Sequence, residues 1–221
     1  MAEQTAWLIK LIIMGFNMSE ITAITTQQKN KDRCNVFIDG QFAFATSLEI
    51  VMRYRLKVGE QVSKGDLEEI ALENDKIQAF DKAITYLSKA LKTKRQVKDY
   101  LLKKGFSEQV VFYVIDKLKD YNLIDDAEYS KRYIESNAKT QGKRLFEYKL
   151  MMKGVKKSDI ELGESEVDID YNSNAKAIAD KYLKHKEITK ENIAKAYRYL
   201  IGKGFSYDQA DYALSQYKEE L

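Results

Sequence analysis

Between Ser107 and Tyr121 the apolar residues recur at helical spacing, with Val110, Val111, Val114, Ile115, Leu118 and Tyr121 falling on one face. Ser107 stands where an N-cap belongs. Gly105 follows a lysine-rich turn, a place that suits a left-handed residue closing the preceding helix. Asp125, with Glu128 three residues on, has the form of a capping box opening the next helix. The helix end Leu101-Leu102-Lys103-Lys104-Gly105-Phe106 then returns as Leu150-Met151-Met152-Lys153-Gly154-Val155 and as Leu200-Ile201-Gly202-Lys203-Gly204-Phe205. Its glycines are 49 and 50 residues apart (105 to 154, 154 to 204). A fixed period of that size predicts a helical repeat array.

The same spacing extends in both directions. Asp66 with Glu69 predicts the start of a long helix to about Leu91, with Phe80, Ala83, Ile84 and Leu87 on its stripe, and a second helix follows from Thr93 to Lys104. In the next unit Tyr129, Tyr133 and Ile134 mark one helix, and Phe146 with Leu150 another. Lys157 to Ile160 begins a third, but Glu161 to Asn174 is acidic and aperiodic and reads as a linker. The last unit has stripes of Ile178, Ala179, Tyr182 and Leu183, then of Ile193, Tyr197, Leu200 and Ile201. After Gly204, Ser206 and Gln209 form a capping box ahead of Ala210, Ala213, Leu214 and Tyr217.

Upstream the period changes to two. Ile21 to Thr26 and Arg33 to Thr46 read as strands, the latter folded at Asp39-Gly40, a dipeptide suited to a type I′ hairpin turn. Leu48 to Leu56 reads as a short helix. Trp7 to Phe16 is apolar but too short to span a membrane, and it lacks the form of a secretory signal. Residues 1–17 are expected to be an upstream start or an expression remnant. The predicted fold is mainly α: a tandem array of three three-helix repeats forming an elongated curved body, preceded by a small β-hairpin or sheet region. Its divisions are 18–65 for the hairpin region with its short helix, 66–126 for repeat one, 127–174 for repeat two with its acidic linker, and 175–221 for repeat three.

The 221 residues include no proline, which suits a helical chain. The single cysteine, Cys34, excludes an internal disulfide framework or a cysteine-rich zinc site and points to a reducing, cytoplasmic setting. Net charge is only +3, but residues 89–157 carry 18 Lys/Arg against 9 Asp/Glu. Residues 158–221 carry 9 against 13, so a basic middle is flanked by mildly acidic ends. The glycines and lysine of Gly59 to Asp66 are in the wrong order for a phosphate loop. His185, the only histidine, lies between two lysines and reads as exposed, so no histidine-based triad or metal cluster can form. Asp125 and Asp126 are explained by helix capping more simply than by acid–base or metal chemistry. No enzyme, cofactor or metal is expected.

The triplicated unit, Gly105-Phe106-Ser107, Leu123-Ile124-Asp125-Asp126 and the hairpin segment Arg33 to Gly40 together resemble the RecX family of bacterial RecA regulators. The resemblance runs from about Ile21 to the C-terminus and is thin between Glu161 and Asn174. It implies a non-enzymatic protein that lies along the RecA–DNA filament and restrains recombinase, ATPase and coprotease activities in recombination and the DNA-damage response. A monomer is expected, with the filament and single- or double-stranded DNA as partners and no membrane.

The residues best suited to that contact are cations. Lys92, Lys94, Arg95 and Lys98 open the second helix of repeat one, and Lys103 and Lys104 close it. Arg132, Lys139, Lys143, Arg144 and Lys149 belong to repeat two. Lys94 and Lys98, and Lys139 and Lys143 if that turn is helical, are spaced to share a face. Stacked second helices would then align their cations toward phosphates or an acidic groove. A freestanding DNA-binding protein and a generic helical scaffold for another protein remain alternatives. Tyr86, Tyr100, Tyr113, Tyr133, Tyr148, Tyr182, Tyr197 and Tyr199 could stack on bases, but most fall on apolar stripes and are expected to pack between helices.

Overall fold

The computed structural model describes residues 18–28 and 30–219, so the expectation for residues 1–17 lies outside the described residues. The chain divides into two compact units. One takes the described part of Met1–Tyr86 with Tyr100–Lys117, the other Leu87–Asp99 with the described part of Leu118–Leu221.

The first unit contains the sheet. Strands β1 (Met18–Thr26), β2 (Arg33–Ile38), β3 (Gln41–Ser47) and β4 (Gln61–Ser63) pair antiparallel in the order β3-β2-β1-β4. Asp39 (φ 48) and Gly40 (φ 78) make the β2–β3 turn, both with the positive φ that a type I′ turn requires. Along β2, Cys34, Val36 and Ile38 are buried while their neighbours stay partly exposed, the alternation of a sheet covered on one face. That face packs on Ile50 of α1 (Leu48–Arg53) and on Leu67 and Ile70 of α2 (Lys64–Leu87). Cys34 is thus a packed core residue. The three-residue β4 escapes sequence reading because it is too short to show a period. The start of α2 also differs from expectation. Ser63 is the capping residue, its N–H donating to Asp66 Oδ2 at 2.9 Å while Asp66 N–H donates to Ser63 Oγ at 3.2 Å. Glu69 instead accepts from the Tyr54 hydroxyl at 3.1 Å.

The remaining helices are α3 (Lys94–Lys103), α4 (Glu108–Asp120), α5 (Asp126–Asn137), α6 (Lys143–Met152), α7 (Lys157–Ser165), α8 (Tyr171–Leu183), α9 (Lys190–Gly202) and α10 (Tyr207–Glu219). The recurring sequence motif is one backbone turn made three times. Gly105, Gly154 and Gly204 have φ of 87, 84 and 91. Each glycine N–H donates to the third carbonyl back, on Leu102, Met151 and Ile201, at 2.9, 2.8 and 2.9 Å. The next N–H, of Phe106, Val155 or Phe205, reaches the fifth carbonyl back, on Leu101, Leu150 or Leu200, at 3.4, 3.1 or 3.3 Å. These are Schellman ends, and each is clasped by its two apolar residues, all six of which are buried.

Four expectations need correction. The stretch read as an acidic linker is largely helical: α7 continues to Ser165 and α8 begins at Tyr171, four residues before the predicted resumption. Its weak periodicity has a physical origin in Gly163, which is buried where an added Cβ would stand 2.6 Å from Ala127 O and 2.7 Å from Lys131 N. Helix α7 therefore meets α5 backbone against backbone, without the large apolar residue that signals a stripe. Tyr121 is 56% exposed rather than part of the α4 face, and in the later part of α2 Ala79 and Ala83 are buried while Ile84 is exposed. Tyr113 and Tyr148, expected to pack, are exposed at 38% and 58%, whereas Tyr199, though 40% exposed, stacks on Tyr182 at 4.7 Å. Tyr86 and Tyr100 do pack, stacked on each other at 4.2 Å.

Candidate interface residues

In the second unit the second helices of successive repeats meet end against end. The Thr93 hydroxyl, just ahead of α3, donates to Lys153 O at the end of α6, at 2.8 Å. Gly142 N–H, just ahead of α6, donates to Lys203 O at the end of α9, at 2.8 Å, and Arg144 N–H to Gly204 O at 3.1 Å. Donors from one helix start thus satisfy carbonyls at the next helix end, which joins opposite poles of two macrodipoles. Close approach is built into the glycines. A Cβ on Gly154 would meet the Arg95 side chain at 2.2 Å, and one on Gly142 would meet Gly204 at 2.4 Å. Sequence reading missed Gly142, whose signal is a glycine at an N-cap with no side-chain cap of its own.

These junctions determine what the predicted cations do. Lys94 and Lys98 lie one turn apart on α3 and both are half-buried. Lys94 Nζ is 3.9 Å from Asp159, and its backbone N–H donates to Asp126 at 2.8 Å. Arg95 lies over Gly154, with its guanidinium 3.8 Å from Asp99. Lys92 is half-buried ahead of α3. Lys103 is exposed at the end of α3, and Lys104 beyond it lies 5.5 Å from the Tyr100 ring centre, both within the first unit. Arg132 is paired with Glu128 at 2.6 Å. Lys143 is bound into repeat two, 2.6 Å from Glu164, whose other oxygen accepts from the Tyr171 hydroxyl at 2.9 Å. The hydrogen bond to Glu164 raises the Lys143 ammonium above its usual range, while burial and then Glu164 push the Tyr171 phenol far up.

The conditional pairing of Lys139 with Lys143 fails, because Lys139 lies in the turn between α5 and α6. Arg144 is exposed and covers the Tyr207 ring at 5.2 Å. Among the described residues Lys139 and Lys149 have no ion-pair partner. Arg144, Lys139 and Lys149 are therefore the predicted cations of repeat two that no carboxylate among the described residues pairs with. Asp125 and Asp126 are capping groups. Asp125 accepts from Ala127 and Glu128 N–H at 2.8 and 3.3 Å, and buried Asp126 accepts the Lys94 N–H. Burial raises the Asp126 carboxyl, a shift opposed by that hydrogen bond.

The chain is a tandem three-helix-repeat protein with a small antiparallel sheet ahead of its repeats. Its sequence matches three family profiles: the regulatory protein RecX N-terminal domain over residues 19–63, the first three-helix domain of RecX over 79–118, and the third over 169–214. A regulatory protein RecX of Clostridium botulinum is 35% identical over 196 residues, 86% of this chain and 92% of that protein. One of Clostridium tetani is 35% identical over 206 residues, covering 90% and 94%. The chain belongs to the RecX family. A crystal structure of a regulatory protein RecX superposes with a TM-score of 0.72 at 24% identity, covering 91% of this chain and 99% of that one. The RecX of Lactobacillus salivarius superposes at 0.60, with 25% identity, 66% of this chain and 99% of that one. Among the described residues no helix is long and apolar enough to cross a membrane.

Proposed function

We propose that this chain is a monomeric regulator that binds the RecA–DNA filament and restrains its recombinase, ATPase and coprotease activities. The observation that carries this reading is the 35% identity to proteins named regulatory protein RecX over nearly the whole chain. The repeat array and basic middle support it physically, since tandem repeats give extended surfaces and cations suit a filament containing DNA. Within the predicted set, Lys139, Arg144 and Lys149 are assigned the main role, because no carboxylate among the described residues pairs with them. The test is a substoichiometric titration of the protein into RecA, single-stranded DNA and ATP, following ATP turnover and strand exchange. Both should fall as the protein is added. Unchanged rates at every ratio would reject the proposal.

The same three cations favour a second reading, direct binding of naked DNA. It predicts an affinity that falls steeply with salt, because phosphate contacts release counterions. No mobility shift at low salt would remove it.

A further inference from the structure

Residues 50 apart occupy corresponding places in repeats two and three, as the Gly154 and Gly204 turns establish. In repeat two the groove between α6 and α7 is covered by chain leading into repeat three. Val167, Ile169 and Tyr171 pack there against the cluster of Ile134, Phe146, Leu150 and Ile160, with the Tyr171 and Phe146 ring centres 6.3 Å apart. The corresponding side of repeat three is an open groove of about 690 Å³ between α9 and α10. Its floor is Ile193, Ala194 and Tyr197, and its rim carries Lys190, Arg198, Asp211 and Lys218. Ala194 stands where Arg144 reaches across in repeat two. Asn192 stands where Gly142 donates to the next repeat, but its backbone N–H turns back to Thr189 Oγ1 at 3.2 Å and its side-chain amide donates to Glu187 O at 2.9 Å. Helix α10 runs on to Glu219, and among the described residues no segment crosses the groove.

We infer that this open face docks an acidic amphipathic helix of another protein, in the place that repeat three takes on repeat two. The apolar floor calls for an apolar stripe, which a nucleic-acid backbone lacks. The rim sets the sign of the partner. Asp211 is taken by Lys218 at 2.7 Å; Arg198 acts on Glu191 only through the field, and among the described residues neither Lys190 nor Arg198 is held in an ion pair. A second copy of this chain is disfavoured, because its corresponding helix end would bring Lys103 and Lys104 toward cations of the same sign.

The test uses the full chain and a fluorescein-labelled helical peptide with a leucine stripe and a glutamate-rich opposite face. A counterpart with lysine in place of glutamate serves as control, and binding is read by anisotropy. The acidic peptide should bind saturably and the basic one should not. Lys190→Glu with Arg198→Glu should weaken binding at least about tenfold through like-charge contact. Ala194→Arg should weaken it by filling the floor. Lys190, Ala194 and Arg198 are exposed on a helix, so circular dichroism should be unchanged. Absence of saturable binding, or equal affinity for the variants, would overturn the inference. So would a concentration-dependent dimer in sedimentation that Ala194→Arg abolishes. Neither recombinase nor DNA is present, so this result and that of the filament titration can fail separately.

Discussion

At the scale of single residues, glycines of the same backbone conformation do two different things. Gly59 and Gly204 share a positive φ, at 86 and 91, but nothing lies within 4 Å of a Cβ built on Gly59, while one on Gly204 would stand 2.4 Å from Leu145 N. Gly59→Ala should therefore cost about 1 kcal/mol, the strain of a left-handed alanine. Gly204→Ala should cost clearly more, because the α6–α9 junction must also open. Denaturant midpoints of the two variants check the ranking, and equal losses would contradict the close approach. The capping box at Ser63 supplies a pH-dependent counterpart. The Ser63 hydroxyl and N–H hold the Asp66 carboxyl below its usual range. A lowered folded pKa gives stability that is present above the ordinary carboxylate pKa and is lost as pH falls through the folded value. Asp66→Asn should thus be less stable than wild type at neutral pH, with the gap closing on acidification below about pH 4. A gap that persists in acid would sink the assignment.

At the scale of elements, α7 is the informative case. An interior glycine ordinarily costs a helix about 1 kcal/mol relative to alanine, so propensity alone makes Gly163→Ala stabilising. Packing predicts the reverse, since the new methyl would press on the backbone of α5 at 2.6 Å. Thermal unfolding of this variant decides between them, and a raised melting temperature would contradict the α5–α7 contact. The same residue shows why this helix was illegible. Sequence periodicity reports large apolar side chains, whereas this contact is made by the absence of one. Where stripes were made of bulky residues, as with Ile193, Leu200 and Phe205, the helices were readable, and all three side chains are buried. The turns were readable for a related reason. A glycine between a buried leucine and a buried aromatic or valine has few other uses, so its recurrence fixed the array.

At the scale of the whole chain, charge was legible as composition but not as availability. The sequence shows eleven candidate cations, and nothing in it says that Lys94, Arg132 and Lys143 are engaged by Asp159, Glu128 and Glu164. Lys94 and Lys143 find partners distant in sequence, brought close only by folding. Arg132 and Glu128 are one turn apart, a pairing that spacing does permit. The distinction changes which variants are informative. Reversing Arg95 would also remove the methylenes that lie over Gly154, mixing stability with function. Lys139 and Lys149 avoid that, having no ion-pair partner among the described residues, whereas Arg144 gives up only its contact with the Tyr207 ring. The most direct measurement is co-sedimentation with RecA filaments on single-stranded DNA, comparing wild type with the Lys139→Glu, Arg144→Glu, Lys149→Glu variant. Wild type should pellet with the filament, and the variant should remain in solution with its helicity intact. A wild type that stays in the supernatant at every filament concentration would contradict the account.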